Sequence, residues 1–168
     1  MTPSPDQDRF LGLLEEHKRI LYKVAYAYCR QREDRPDLMQ DMTVQLWRSF
    51  GRFDGRVKFS TWMYQIAMNV AISFYRRERR RVRDAVPIEE SGLDIAAADR
   101  VMDESGEDLR TLHRLIGRLD EMSRAIILLY MDGYPHDEIA GIIGISSTNV
   151  ATRIHRIKQR LQREAGTP

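Results

Sequence analysis

Along the first part of the chain, apolar residues recur at steps of three and four. Phe10, Leu13, Leu14, Ile20, Leu21, Val24, Ala25 and Tyr28, with His17 among them, fall on one side of a 3.6-residue repeat and predict a helix over 10–30. Pro36 marks the next start, because the first helical turn tolerates a residue without an amide proton. Leu38, Met39, Met42, Val44, Leu46, Trp47 and Phe50 populate that second helix, and Gly51 is placed to end it. After a short loop over 51–59, Ser60 is placed to cap a third helix. It runs through Trp62, Met63, Ile66, Ala67, Val70 and Phe74 into a run of arginines, and the four-residue steps of Trp62, Ile66, Val70 and Phe74 read as core packing.

The pattern then breaks. Pro87, Gly92, a cluster of acids and Ala96-Ala97-Ala98 predict a linker and a domain boundary. Periodicity returns at Ser105-Gly106-Glu107-Asp108, which has capping-box spacing and leads into Leu109, Leu112, Leu115, Ile116 and Leu119. Met122–Met131 forms a further helix ended by Gly133. A helix over His136–Ile143, a turn of Gly144-Ile145-Ser146 and a last helix from Ser147 to Glu164 complete the chain. No run alternates with a strand's period of two. The fold class is all-α: a flexible tail over 1–9, two small helical domains over 10–83 and 105–164, and a flexible acidic linker over 84–104.

Net charge over the 168 residues is only +2, but its distribution is uneven. Residues 76–83 hold six arginines and one glutamate, a net +5. Residues 84–108 hold nine acids against Arg100, a net −8. Residues 149–163 hold five basic groups and no acid. Two basic patches flanking an acidic stretch suit two separate contacts with a polyanion. A lone cysteine, Cys29, excludes an internal disulfide and reads as a buried small hydrophobe. Four scattered histidines leave no zinc-ligand spacing, so no metal or cofactor is expected. The N-terminus lacks the basic and apolar regions of a secretory signal, and no apolar run reaches the roughly 20 residues that span a bilayer. The expectation is a cytoplasmic protein without membrane insertion.

The helix pair at 136–164 carries the sharpest motif. Ile139, Ala140 and Ile143 supply the inward face of a first helix, Gly144 permits the turn, and Ile145, Val150 and Ile154 pack the second helix back, as in a helix-turn-helix. The outward face then shows Asn149, Thr152, Arg153, His155 and Arg156, which can address base edges and phosphates, and Ser146 and Ser147 stand at a helix start suited to a phosphate. A helical hairpin with a solvated basic face is the plainer alternative. In the third helix, aromatics interleave with polar residues beside an arginine track, a composition that fits unpaired DNA; Asn69, Ser73 and the loop before Ser60 are its candidates. In the second helix Asp37, Gln40 and Asp41 share one side at steps of three and four. An acidic first turn is expected from the helix dipole alone, and a protein-partner surface is the sharper reading.

Taken in order, DLMQDMTVQLW, FDGRVKFSTWMYQIAMNVAISFYRRERR and LDEMSRAIILLYMDGYPHDEIAGIIGISSTNVATRIHRIKQRL resemble the extracytoplasmic-function sigma factors of the sigma-70 type, over about 10–83 and 105–164. The resemblance implies a sigma region 2 followed by a region 4. Asp37, Gln40 and Asp41 would contact the β′ clamp helices of core RNA polymerase, with the β flap as a further contact. Phe53, Lys58, Ser60, Asn69 and Ser73 would serve the minus-ten element, where a base is flipped as the strands open. Arg76, Arg77, Arg79 and Arg80 would hold the backbone, and Trp62 would support the loop. Asn149, Thr152, Arg153, His155, Arg156 and Lys158 would address the minus-thirty-five element of promoter DNA. An anti-sigma protein is the implied regulator. Ala151 stands where many members carry a basic residue, and Ser147-Thr148-Asn149 replaces a helix start that more often contains Pro or Gly.

Three other readings remain open on sequence. A two-domain helix-turn-helix regulator acting without core polymerase would need a sensor domain, and no strand or phospho-acceptor pattern supplies one. A nuclease would need an acid–base or metal set, and Asp37, Asp41, His136 and Glu138 form none that is recognisable. A helical adaptor without a DNA role would not need the acid-free helix at 149–163.

Overall fold

The computed structural model describes residues 2–85 and 106–166. Among them there are seven α-helices and no strand: α1 (Pro5–Tyr28), α2 (Arg35–Phe50), α3 (Phe59–Ala85), α4 (Glu107–Gly117), α5 (Glu121–Met131), α6 (His136–Ile143) and α7 (Ser147–Ala165), with a 3-10 turn at Arg32–Asp34 before α2. The expected linker over 84–104 lies outside the described residues, save that its first two, Asp84 and Ala85, close α3.

Several helix ends differ from the pattern-based expectation, each for a local reason. α1 starts at Pro5, inside the segment read as a tail. Ser4 caps it by accepting from the Gln7 amide at 3.3 Å, and Pro5, Asp6 and Asp8 suit a first turn. Ser60 does not cap α3. The first helical bond runs from the Trp62 amide to the Lys58 carbonyl, which puts Ser60 inside the first turn. At α4 the N-cap is Gly106, without a side-chain bond. Gly51 ends α2 in the right-handed region rather than the left-handed one. Gly133 and Gly144, both with φ of +85°, make the turns that end α5 and α6.

α5 begins at Glu121 because Asp120 accepts from the Ser123 amide at 3.2 Å. Burial pushes the Asp120 carboxyl up, but the Ser123 hydrogen bonds outweigh it and hold it below its ordinary value. Asp120→Ala is expected to cost about 1 kcal/mol, read as a lower urea midpoint at neutral pH. Because the folded carboxyl titrates below the unfolded one, the wild-type cap stabilises fully above about pH 4 and fades as pH falls through its folded value. The gap between wild type and variant should close over that acid range.

The first three helices form one bundle. α1 buries Phe10, Leu21, Val24, Ala25 and Tyr28; α2 buries Leu38, Met42, Leu46 and Phe50. In α3 the fully buried line is Met63, Tyr64, Ala67, Met68, Ala71 and Tyr75, while Trp62, Ile66, Val70 and Phe74 are only partly buried. The expected core stripe is therefore displaced by about one residue. The reason is tertiary: α3 packs on α1 and α2 and also against α5 and α6, so its apolar surface is wider than one stripe. The last four helices and the turn between α4 and α5 bury Leu115, Ile116, Leu119, Ile126, Leu129, Ile139, Val150, Ile154 and Ile157. Cys29 is buried, and burial pushes its thiol up to about 12, so it stays a neutral thiol.

Candidate nucleic-acid interface

α6 and α7 form a helix-turn-helix. Ile139, Ala140 and Ile142 are buried on α6 and Val150, Ile154 and Ile157 on α7, with Ile143 partly buried against them. Gly144 takes the left-handed turn, and its amide and that of Ile145 both donate to the Ala140 carbonyl, closing the end of α6. Ser146 caps α7 by accepting from the Asn149 amide at 3.1 Å. Its hydroxyl oxygen already serves the helix start that the sequence assigned to a phosphate.

The α7 residues singled out in sequence divide between two places. Asn149, Thr152, Arg153 and Arg156, at steps of three and four, form one outward stripe, with His155 exposed beside Thr152. Within it the Arg153 Nε donates to the Asn149 Oδ1 at 3.1 Å, and the Thr152 hydroxyl donates to the Thr148 carbonyl at 3.0 Å. Arg153 is thus held by its neighbour, and Thr152 offers an acceptor. Lys158 lies apart on the flank, its ammonium 4.4 Å from the centre of the Tyr130 ring and donating to that hydroxyl.

On α3, Ser73 follows Asn69 by four residues, Arg76 and Arg77 follow Ser73 by three and four, and all are exposed. Arg79 and Arg80 continue the exposed basic surface. Ser60 stands nine residues before Asn69, about half a turn round the helix, so it does not share that stripe. Phe53 is half-buried in an aromatic cluster, 5.1 Å from Trp62 and 5.5 Å from Phe59 between ring centres, which makes Trp62 a wall of the loop. Lys58 is exposed at the loop's end. Gly55, with φ of +76°, turns the loop, and Asp54 steadies it by accepting from the Arg56 amide at 3.0 Å. The set expected to act together at the minus-ten element is therefore split between the loop and the far stripe of α3.

Asp37, Gln40 and Asp41 are exposed together on α2. They line a groove of about 410 Å³ whose other wall is Phe74, Arg77, Glu78 and Arg81 of α3. The α2 face continues beyond the acids. Val44 and Trp47 follow Gln40 at steps of four and three and are 39% and 43% exposed. Both were among the apolar residues that populate the second helix in sequence; Trp47 lies against Phe10 at 5.1 Å between ring centres. An acidic rim beside an exposed aromatic is the composition of a protein-binding surface. Among the described residues no group of three or more His, Cys, Asp or Glu is placed to hold a metal, and no helix is long and apolar enough to cross a membrane.

Two all-helical modules, one ending in a helix-turn-helix and the other in an arginine-bearing helix, define a class of DNA-binding regulatory proteins. Two family models match within it: Sigma-70 region 2 over residues 13–81 and Sigma-70, region 4 over 109–161. The chain is similar to the ECF RNA polymerase sigma factor SigW of Bacillus subtilis, 30% identical over 95% of this chain and 90% of that one. It is similar also to the RNA polymerase sigma factor CnrH of Cupriavidus metallidurans, 30% identical over 94% of this chain and 87% of the relative. CnrH in complex with the cytosolic domain of CnrY has been solved, and that structure aligns over 95% of this chain and 89% of its own with a TM-score of 0.68 at 25% identity. The sigma factor RpoE of Bartonella quintana, solved with the anti-sigma factor NepR, shares the fold with a TM-score of 0.69 over 93% of each chain at 23% identity. The chain belongs to the extracytoplasmic-function sigma factors of the sigma-70 family.

Proposed function

We propose that this protein is the promoter-recognition subunit of a bacterial RNA polymerase: it binds core polymerase and directs initiation at promoters that carry minus-ten and minus-thirty-five elements. The observation that carries the reading is the conjunction of region 2 and region 4 in one chain with an outward, acid-free reading stripe on α7. In the major groove, Asn149, Thr152, Arg153 and Arg156 address base edges of the minus-thirty-five element, with Arg153 pre-positioned by Asn149. His155 and Lys158, three residues apart on one flank of that stripe, meet the sugar–phosphate backbone. In region 2, the Phe53–Ser60 loop with its aromatic wall takes the base flipped from the minus-ten element, and Asn69, Ser73, Arg76, Arg77, Arg79 and Arg80 guide the opened strand. The Asp37, Gln40 and Asp41 face receives the β′ clamp helices, and region 4 meets the β flap.

A net charge of +2 gives the chain little non-specific pull toward DNA, so polymerase supplies much of the affinity. The protein contributes binding energy to strand opening and no covalent step; it works in the cytoplasm, where polymerase and chromosome are. An anti-sigma protein is its regulator, a reading supported by relatives solved in complex with NepR and with CnrY.

Run-off transcription on a promoter library, with purified core polymerase and with or without the protein, tests this. Transcripts starting at defined sites only in its presence are expected. A chain that shifts duplex DNA by itself but neither binds core nor initiates would make it a regulator independent of polymerase.

A further inference from the structure

The end of α5 reaches both helices of the helix-turn-helix through one side chain. Tyr130 stands in the last turn of α5, half-buried. The Lys158 ammonium of α7 lies over its ring, 4.4 Å from the centre, and donates to its hydroxyl. The same ring neighbours His136, the first residue of α6, with 6.3 Å between ring centres. Lys158 is exposed, and among the described residues it forms no ion pair. Arg160, two residues further along α7, differs in this respect: it pairs with Glu164 at 3.0 Å.

We propose that Tyr130 is a positioning residue for the minus-thirty-five contact: it holds the Lys158 ammonium where a phosphate of the duplex passes. The proposal rests on the promoter-recognition reading above. Three observations support it. A lysine stem is flexible, and pinning it before the encounter removes rotamer freedom that binding would otherwise have to freeze. The groups that pin it, a ring face and a hydroxyl, are neutral, so its charge stays available to a polyanion where a carboxylate would have offset it. The ammonium also keeps further N–H donors beside the one given to Tyr130. The place fits as well. In a helix-turn-helix the first helix crosses the sugar–phosphate backbone while the second lies in the groove, and Tyr130 touches the first residue of α6 and the flank of α7. Asp137 and Glu138 in the first turn of α6 counter the attraction of that helix start for an anion, so the phosphate contact at this edge falls to the cation that Tyr130 holds.

A double-mutant cycle on the full chain bound to core polymerase tests this, with affinity for a promoter duplex measured across a salt series. Lys158→Ala is expected to weaken binding about fivefold and to lower the slope of log affinity against log salt by about one. Tyr130→Leu leaves the charge but releases it, and should weaken binding about threefold in the wild-type background and not at all beside Lys158→Ala. Tyr130→Phe keeps the ring and its packing and loses only the hydroxyl. It should fall between wild type and Tyr130→Leu with the same dependence on Lys158, so the cycle can be read on it if the leucine variant does not fold. Either tyrosine variant should lose the same factor on every base substitution in the minus-thirty-five element, because phosphates carry no sequence. An equal loss in the Lys158→Ala background would make Tyr130 purely structural. A loss that varies with the base would make it a reader of sequence, and unchanged affinity in both tyrosine variants would leave it no part in binding. Each of these overturns the positioning role and leaves the promoter-recognition reading standing. A wild-type complex that selects no promoter overturns that reading, and the proposal with it.

Discussion

Arg153→Ala combined with Arg156→Ala is expected to lower transcription from minus-thirty-five-dependent promoters by at least about 30-fold, with binding to core polymerase unchanged. A well-placed arginine on a guanine edge contributes about 1–3 kcal/mol of discrimination, and each 1.4 kcal/mol is tenfold in an equilibrium constant. The two losses are not independent. Both arginines lie on the stripe that begins at Asn149, and Asn149 accepts from Arg153, so Asn149→Ala should reproduce part of the Arg153 effect by releasing the guanidinium from its position. Arg156 is exposed and Arg153 half-buried, and neither belongs to the core of α7, which is Val150, Ile154 and Ile157. The variant should therefore unfold within about 0.5 kcal/mol of wild type. Run-off transcription on paired promoters, with a thermal melt as control, checks the result. A fall that is equal on promoters with and without the upstream element would mean that α7 is not the reader.

The helix-turn-helix was legible in sequence because what specifies it is local. Gly144 sits at the one turn position needing φ of +85°, Ser146 is three residues before the amide it caps, and the buried isoleucines recur at helical spacing. The same holds for the α2 acids, which lie one turn apart. What escaped the pattern has non-local causes. The start of α1 before Phe10 is polar, so periodicity begins only at Phe10, and the earlier start was signalled by the Ser4 cap with Pro5, Asp6 and Asp8 behind it. On α3 the apolar surface is covered from two sides, and a single-stripe reading chose Trp62, Ile66, Val70 and Phe74 over the deeper line through Met63, Ala67 and Ala71. Val44 and Trp47 are apolar, yet they stand off the four-residue line of Leu38, Met42, Leu46 and Phe50 that α2 buries, and a reading that counts apolar residues without their phase does not separate the two sets. The contact between the domains had no sequence signature: Tyr28 meets Glu121 across 93 positions and Arg124 meets Ala27 across 97. A buried arginine, Arg124, beside the apolar run of α5 was its trace.

Asp37→Lys combined with Asp41→Lys should weaken binding to core polymerase by about 100-fold or more, and with it transcription from every promoter class. Both carboxylates are exposed on one face of α2, and across the groove from them stand Arg77 and Arg81. In wild type the acids offset those arginines and present a negative rim. With lysines in their place the groove becomes uniformly basic, and a partner surface matched to the acids now faces like charge, which costs several kcal/mol. Encounter is affected first, so the association rate should fall and its salt dependence change sign. Some fold stability is lost too. Asp37 lies in the first turn of α2, where a cation opposes the helix dipole by about 0.3–1 kcal/mol. Asp37→Asn with Asp41→Asn separates the contributions: it removes the attraction without adding repulsion, keeps most of the helix, and should weaken core binding by only about tenfold. Promoter-independent loss distinguishes this surface from α7. If core binding survives the charge reversal while the melt is normal, polymerase does not dock on the acidic face, and the exposed Val44 and Trp47 a turn further along α2 become the surface to alter next.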